Sequence, residues 1–232
     1  MSEAESAGRR GSAGRAFTEF EVVGTALGLL DAGGPSALSI GAVAARLGVE
    51  ADAVSSVAGS RVELERAVIE RVLSAVPVGP LSDAGVEWSA AVIQFALGMR
   101  DQLLAHPAVV TLMMSGPMDG PAADGPVARD ISEALLACLT RGGLPAQARA
   151  HGVYSVLVQV LGAVALDVAE TDGKPPLPPE SERVRQRRAA LDDIDSARWP
   201  RTTAHLDEIA AWNSVDQFVW SLRTLLTGMV AA

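Results

Sequence analysis

The chain has little that could tie it together covalently. One cysteine among 232 residues leaves no pair for a disulfide, which excludes a disulfide-stapled scaffold. The 22 glycines follow no period, which excludes a collagen-like fibre. Basic residues are also short: 19 Lys and Arg face 28 Asp and Glu, a formal net charge of −9. A surface of that sign repels nucleic acid and anionic membrane unless a basic patch is set apart locally. Residues 1–15 contain charges and glycines but no apolar stretch, so they are not read as a signal peptide. The longest apolar run, 153–166, is interrupted by Gln159 and is too short to span a bilayer. No membrane partner and a reducing, cytoplasmic compartment are therefore expected. A glycine-rich phosphate loop, a nucleophile elbow and a zinc signature are lacking. His106, His151 and His205 show no metal-ligand spacing. No cofactor and no metal is expected. Cys138 lies in an apolar helical run with no cationic partner evident nearby, so it reads as a buried small hydrophobe and not as a nucleophile.

What is present is enough apolar sequence to build a core: 49% of residues, with a mean hydropathy of +0.24. That balance excludes disorder, and the length suits one large or two small domains. Residues 1–16 form a polar arm carrying Arg9, Arg10 and Arg15, expected to be flexible. Thr18-Glu19-Phe20-Glu21 spells a capping box, and behind it Phe20, Val23, Leu27 and Leu30 share a helical face that ends at Gly33-Gly34. Ser39 suits the N-cap of a short helix over 40–47 that Gly48 closes, and a third segment covers 51–57. A second capping box, Ser60-Arg61-Val62-Glu63, opens a helix over 61–75. Helices are expected over 83–105, 108–114, 127–141, 145–170 and 180–195, with Gly/Pro-rich connections at 115–125 and 171–179. A third capping box, Ser214-Val215-Asp216-Gln217, starts a last helix to Met229. With no strand pattern, the fold class is all-α: an arm (1–16), a small helical unit (17–76) and a larger bundle (82–232).

The stretch Ser39-Ile40-Gly41-Ala42-Val43-Ala44-Ala45-Arg46-Leu47-Gly48-Val49 joins two short helices through a glycine turn. Ala42 and Ala45 let the helices cross closely and Gly48 tolerates a left-handed turn. Spacing alone fits a helix-turn-helix and an ordinary helical corner equally. The residues themselves go further. Ala26-Leu27-Gly28-Leu29-Leu30-Asp31-Ala32-Gly33, Leu38-Ser39, Val43 to Val49, Leu64 and Val68 resemble the DNA-binding domain of the tetracycline-repressor family of bacterial transcriptional regulators. The arm Gly8 to Arg15 resembles the basic leader of such regulators. More weakly, Leu103-Leu104-Ala105-His106-Pro107 and the helix around Gly162 resemble its ligand-binding and dimerisation domain.

The resemblance implies a homodimer that places two recognition helices on a palindromic duplex DNA. On that basis the DNA-contacting residues are Arg9, Arg10, Arg15, Arg46, Asp52, Ser55, Ser56 and Arg61. The recognition helix departs from the family pattern: Val54-Ser55, Val57 and Ala58 stand where relatives carry a Leu-Tyr pair, often a His, then Phe or Val, and Gly41 replaces a frequent arginine. Arg61 keeps the cation beyond. The unit 17–76 has four bases (Arg46, Arg61, Arg66, Arg71) against eight acids (Glu19, Glu21, Asp31, Glu50, Asp52, Glu63, Glu65, Glu70), a net −4. Phosphate neutralisation supplies most DNA affinity, so the arm arginines are expected to assist from the minor groove.

The implied partner in the larger bundle is a small hydrophobic ligand. Phe95, Met99, Met113 and Met114 offer adaptable apolar surface, and Gln94, Gln102, His106, Tyr154 and Gln159 could orient it; Met118 belongs to the apolar set. Where tetracycline repressors bind magnesium through a histidine, the aligned residue is Met113, a thioether unsuited to a hard cation. For dimerisation the wide apolar faces of 148–170 (Val153, Leu157, Val160, Leu161, Val164) and 214–229 (Phe218, Leu222, Leu225, Leu226) suit a four-helix interface, although the core of a monomer would show a similar pattern. The alternative is a chain of this fold that has lost operator binding and binds or transforms a small molecule, with His106, Tyr154 or Asp167 doing acid–base work.

Overall fold

A computed structural model describes residues 17–115, 125–170 and 176–231. The expected all-α class holds: among the described residues every regular element is a helix. The N-terminal four are α1 (Glu19–Gly33), α2 (Ile40–Leu47), α3 (Ala51–Ala58) and α4 (Arg61–Ser74), with a 3₁₀ turn at Pro35–Ala37. Then come α5 (Gly79–Ser82), α6 (Trp88–Ala105), α7 (Pro107–Ser115), α8 (Pro126–Arg141), α9 (Ala146–Glu170), α10 (Glu180–Ala190), α11 (Pro200–Thr203), α12 (Leu206–Ala210) and α13 (Val215–Ala231). The arm with Arg9, Arg10 and Arg15, and Met118, lie outside the described residues.

Local chemistry sets the helix ends of the first four. Thr18 and Ser60 both make complete capping boxes, with Glu21 and Glu63 returning the bond to the cap amide. Ser39 accepts from the Ala42 amide at 3.0 Å. Gly48 ends α2 at φ 71°, ψ 35°, a left-handed conformation that is strained for a residue with a Cβ. Val43 and Ala44 of α2, Val54 of α3, Val22, Val23, Ala26 and Leu30 of α1 and Leu64 and Val68 of α4 close one apolar core. Phe20 leaves the expected face: it is 70% exposed, Val22 points inward instead, and the Arg71 guanidinium lies over its ring at 4.0 Å.

Two expected boundaries and one capping box are corrected. The helix expected over 83–105 starts at Trp88, because Glu87 takes the N-cap and accepts from the Ser89 and Ala90 amides at 2.9 and 3.0 Å. The helix expected to reach 195 stops at Ala190. The third capping box is only half made. Ser214 accepts from the Gln217 amide at 3.2 Å, but the Gln217 side chain donates to Ser221, and Glu180 accepts from the Val215 amide.

The long helix α9 occupies the middle of the larger bundle. Over its full length it is long and apolar enough to cross a bilayer. Here it packs against α6, α7, α8 and α13 and buries Val153, Val156, Val160 and Val164. It runs antiparallel to α13: Gly152 meets Met229 at one end, and Asn213 donates to the Ala163 carbonyl at 3.0 Å near the other. Val153, Val160, Val164, Phe218, Leu222 and Leu226 are thereby buried inside one chain. Those residues, expected at a dimer interface, belong to the protomer core. The face α9 leaves in solvent carries Tyr154, Val158 and Leu166.

Candidate nucleic-acid interface and effector side

Helix α3 presents Asp52, Ser55, Ser56 and Val57 to solvent and turns only Val54 fully inward. Its neighbour α2 crosses it with Gly48 at the corner. This is a helix-turn-helix with an outward second helix, the geometry that enters a major groove. The exposed side chains of α3 include one carboxylate and no cation. The Ser56 hydroxyl donates to the Ala53 carbonyl at 2.7 Å. Arg46 is exposed beside the turn and lines an open groove of about 530 Å3 with Phe17, Phe20 and Val49. Arg61 is half exposed, but its Nε donates to Glu65 at 2.8 Å and Nη2 reaches the Pro35 carbonyl at 3.4 Å. A phosphate must therefore compete with Glu65 for the cation nearest α3.

Among the described residues, side chains bond the N-terminal helices to the larger bundle at Asp31 and at Glu70. Asp31, on α1, takes both its oxygens to within 3.0–3.1 Å of His106 Nδ1, at the end of α6. Glu70, on α4, accepts from the Val127 amide at 3.0 Å in the first turn of α8. Gly125, the N-cap of α8, offers no side-chain cap, so a carboxylate from 57 residues away satisfies a helix-terminal donor and complements the positive end of the helix. A Cβ on Gly125 would overlap the Glu70 carboxylate, so glycine here permits the close approach. Neither contact is legible in the sequence, since capping motifs are recognised only at short separation.

The residues expected to line a ligand pocket are dispersed. Phe95 and Met99 are buried in the core. Gln102, Met113 and Gln159 are half-buried, and Met114 and Tyr154 are exposed, Tyr154 at 65%. His106 is engaged by Asp31. Three cavities stand out, and of the expected residues only Gln94 lines one of them. Besides the groove at α1, one of about 890 Å3 lies between the start of α6 and the end of α13, lined by Trp88, Ile93, Gln94, Arg223, Leu226 and Val230 among others. Another, of about 430 Å3, lies where α9 meets α10.

Nor do the acid–base candidates converge. Tyr154 and Asp167 are both on α9, thirteen residues apart, which places them about 20 Å apart along the axis at 1.5 Å per residue. Asp167 has no exposed surface. Its oxygens accept from Arg100 Nη2 at 2.8 Å and from Arg183 Nη1, so they are occupied by two guanidiniums. Among the described residues no cluster of His, Cys, Asp and Glu could hold a metal ion. Cys138 does have a cation nearby, contrary to expectation: Arg141 Nη2 is 3.5 Å from its sulfur. Burial outweighs that cation and pushes the thiol above its ordinary range, consistent with a core residue.

An outward helix-turn-helix bonded to a larger helical bundle defines a class: a two-part, all-α protein of the helix-turn-helix type. The chain belongs to the tetracycline-repressor family of transcriptional regulators, because residues 80–232 match the family model described as "Tetracyclin repressor-like, C-terminal domain". No curated protein matches the chain in sequence. Among solved structures, the transcriptional regulator SCO7222 of Streptomyces coelicolor is 25% identical, with a TM-score of 0.74 over 93% of this chain and 99% of that one. ActR of the same organism, in complex with actinorhodin, is 23% identical, with a TM-score of 0.76 over 94% of this chain and 98% of that one. ActR in complex with (S)-DNPA is 23% identical and gives a TM-score of 0.75 over 93% of this chain and 98% of that one. At this identity the ActR likeness establishes the fold.

Proposed function

We propose that the chain is a homodimeric, ligand-responsive repressor that binds a palindromic operator through α3 and releases it when a small apolar molecule occupies the larger bundle. The observation that carries the proposal is the pair of direct bonds, Asp31–His106 and Glu70–Val127, between the helix-turn-helix unit and the bundle. A ligand that shifts α6 or α8 moves α1 and α4 with them, and the angle of α3 follows. Coupling of this kind is typically worth about 1–3 kcal/mol. The effector fits best in the groove between α6 and α13, whose volume of about 890 Å3 suits a small molecule and whose walls combine Trp88, Ile93, Leu226 and Val230 with polar Gln94 and Arg223. Structures of ActR with actinorhodin and (S)-DNPA are consistent with an organic effector. Dimerisation is supported by the stripe Tyr154, Val158, Leu166, exposed at helical spacing on α9.

A second reading is favoured by one observation, the anionic face of α3 with Arg61 held by Glu65. In that reading operator binding is lost and the chain binds or transforms a small molecule. Selection of operators from random duplexes, followed by affinity measurement at two salt concentrations, separates the two. A repressor enriches a palindrome with half-sites one helical turn apart, with a shallow salt dependence because few cations meet phosphates. Failure to enrich any sequence at low salt refutes it and leaves the second reading.

A further inference from the structure

Helix α3 turns a mostly accepting edge outward. Asp52, Ser55 and Ser56 stand at i, i+3 and i+4, so they share one face. All three are exposed, while Val54 on the other side is buried. That outer face holds no arginine, lysine, asparagine or glutamine, the side chains that read guanine and adenine through paired bonds in a major groove. The Asp52 carboxylate is acceptor-only when ionised, and among the described residues no partner holds it. The Ser56 hydroxyl gives its proton to the Ala53 carbonyl at 2.7 Å, so only its lone pairs face outward. Ser55 keeps a hydroxyl that can act either way.

The four bases set different groups against such an edge. Guanine shows two acceptors, N7 and O6, and thymine shows the acceptor O4, so a carboxylate bonds to neither and is repelled by both. Adenine donates from N6 but carries the N7 acceptor beside it. Cytosine donates from N4 with no acceptor alongside on its own ring. A carboxylate in the first turn of a recognition helix, the part that meets base edges, therefore bonds well to one base of the four. Repulsion between Asp52 and the phosphates weakens every duplex alike and leaves that ranking standing, because phosphate terms carry no sequence information.

Resting on the operator-binding reading above, we propose that Asp52 is the specificity-determining residue of α3 and requires cytosine at one position of each half-site, through a hydrogen bond from N4. Ser56, one turn on, extends the same accepting edge toward a neighbouring base pair. A helix that gains little from phosphates then discriminates by excluding the bases whose lone pairs meet its own.

The test is operator selection from random duplexes with the full chain, followed by affinity measurement on single-base variants of the selected site at low salt. The parent is expected to enrich a palindrome with one fixed cytosine per half-site. Replacing that cytosine by any other base is expected to weaken binding at least about fivefold per half-site. Asp52→Asn is expected to move the position from cytosine to adenine, because asparagine pairs with N6 and N7 at once. Asp52→Ala is expected to flatten it. Asp52 is exposed and unbonded, so both variants keep the helical spectrum. Glu50→Gln, which removes a charge just before the helix, is expected to tighten binding to all duplexes and leave the position as cytosine. Placing 7-deazaguanine opposite the cytosine is expected to leave affinity unchanged. A palindrome whose bases are the same for the parent, Asp52→Asn and Asp52→Ala overturns the assignment while the repressor reading stands. Weakening by 7-deazaguanine overturns it too, since the position is then read through guanine. So does a change of base in Glu50→Gln, which makes Glu50 the reader. If the parent enriches no sequence, the operator-binding reading itself fails and this assignment falls with it.

Discussion

Replacing Asp167 by asparagine tests whether α6, α9 and α10 are held together by charge. Asp167 has no exposed surface and joins Arg100 of α6 to Arg183 of α10, both themselves buried. Asparagine keeps the shape, so no cavity opens and the loss is electrostatic. Breaking a buried ion pair by removing one partner leaves an uncompensated charge and costs about 3–5 kcal/mol; here two guanidiniums lose the same carboxylate. For a chain of this size each kcal/mol lowers Tm by roughly 2–4 °C, so a drop of about 6–20 °C is expected. The assay is a thermal melt followed by far-UV circular dichroism, with urea unfolding as the equilibrium check. Added salt should leave the difference nearly unchanged, because a buried pair is poorly screened. The triple variant Arg100→Met, Asp167→Leu, Arg183→Met removes charge and desolvation cost together, and should melt at or above the parent, by up to about 4 kcal/mol. A loss under about 1 kcal/mol for Asp167→Asn, or a triple variant less stable than the single one, refutes the reasoning.

Three further outcomes follow from named contacts. Gly125→Ala drives a methyl into the Glu70 carboxylate and should cost about 1–3 kcal/mol in urea unfolding, whereas Glu70→Gln, which keeps an acceptor for the Val127 amide, should cost less; equal losses would show that charge and not geometry matters. Val158→Asp with Leu166→Asp places charges on the exposed stripe of α9 and should convert a dimer to a folded monomer in sedimentation equilibrium; an unchanged mass removes α9 from the interface. Glu63 is held below the ordinary carboxylate value of 4.5 by bonds from the Ser60 amide and hydroxyl, and Glu87 below it by the Ser89 hydroxyl and neighbouring amides. A carboxyl with a lowered folded pKa contributes stability that is complete above its unfolded value and is lost as pH falls through the folded one. Both caps therefore weaken below about pH 4. Ser60→Ala, which keeps the cap amide and removes only the hydroxyl, should return Glu63 part of the way to its ordinary value in a carboxyl NMR titration; no movement would contradict the hydroxyl's share.

How much was legible depended on the range of the interaction. The boxes at Thr18 and Ser60, the Ser39 cap and the Gly48 corner are all settled within four residues of chain, and the sequence located each. The same reasoning failed at Ser214, where Glu180 takes the Val215 amide from 35 residues away and Gln217 turns to Ser221. It failed at Glu87 because Asp83, four residues earlier, is a residue type that caps helices more often, and the Glu87 carboxylate competes with it without a signature of its own. On α9 the apolar residues run nearly all round the helix, so periodicity could not separate the face toward α13 from the face in solvent. Tyr154 and Val158 differ from Val153 and Val160 only in where the bundle happened to close.

By itself, then, the sequence determined the class of the fold, the caps and glycine corner of the two short helices and the acidity of the unit that carries them, because capping, turn chemistry and net charge are properties of neighbouring residues. That the corner is a helix-turn-helix was implied only by the family resemblance. Only the tertiary structure decided which charges are paired. It set Asp31 against His106, put Glu70 at the head of α8 and enclosed Asp167 between two arginines. The physical reason is that a charge is neutralised or left over according to what lies within a few ångströms of it, and across 57 or 75 residues only the packing of helices determines that.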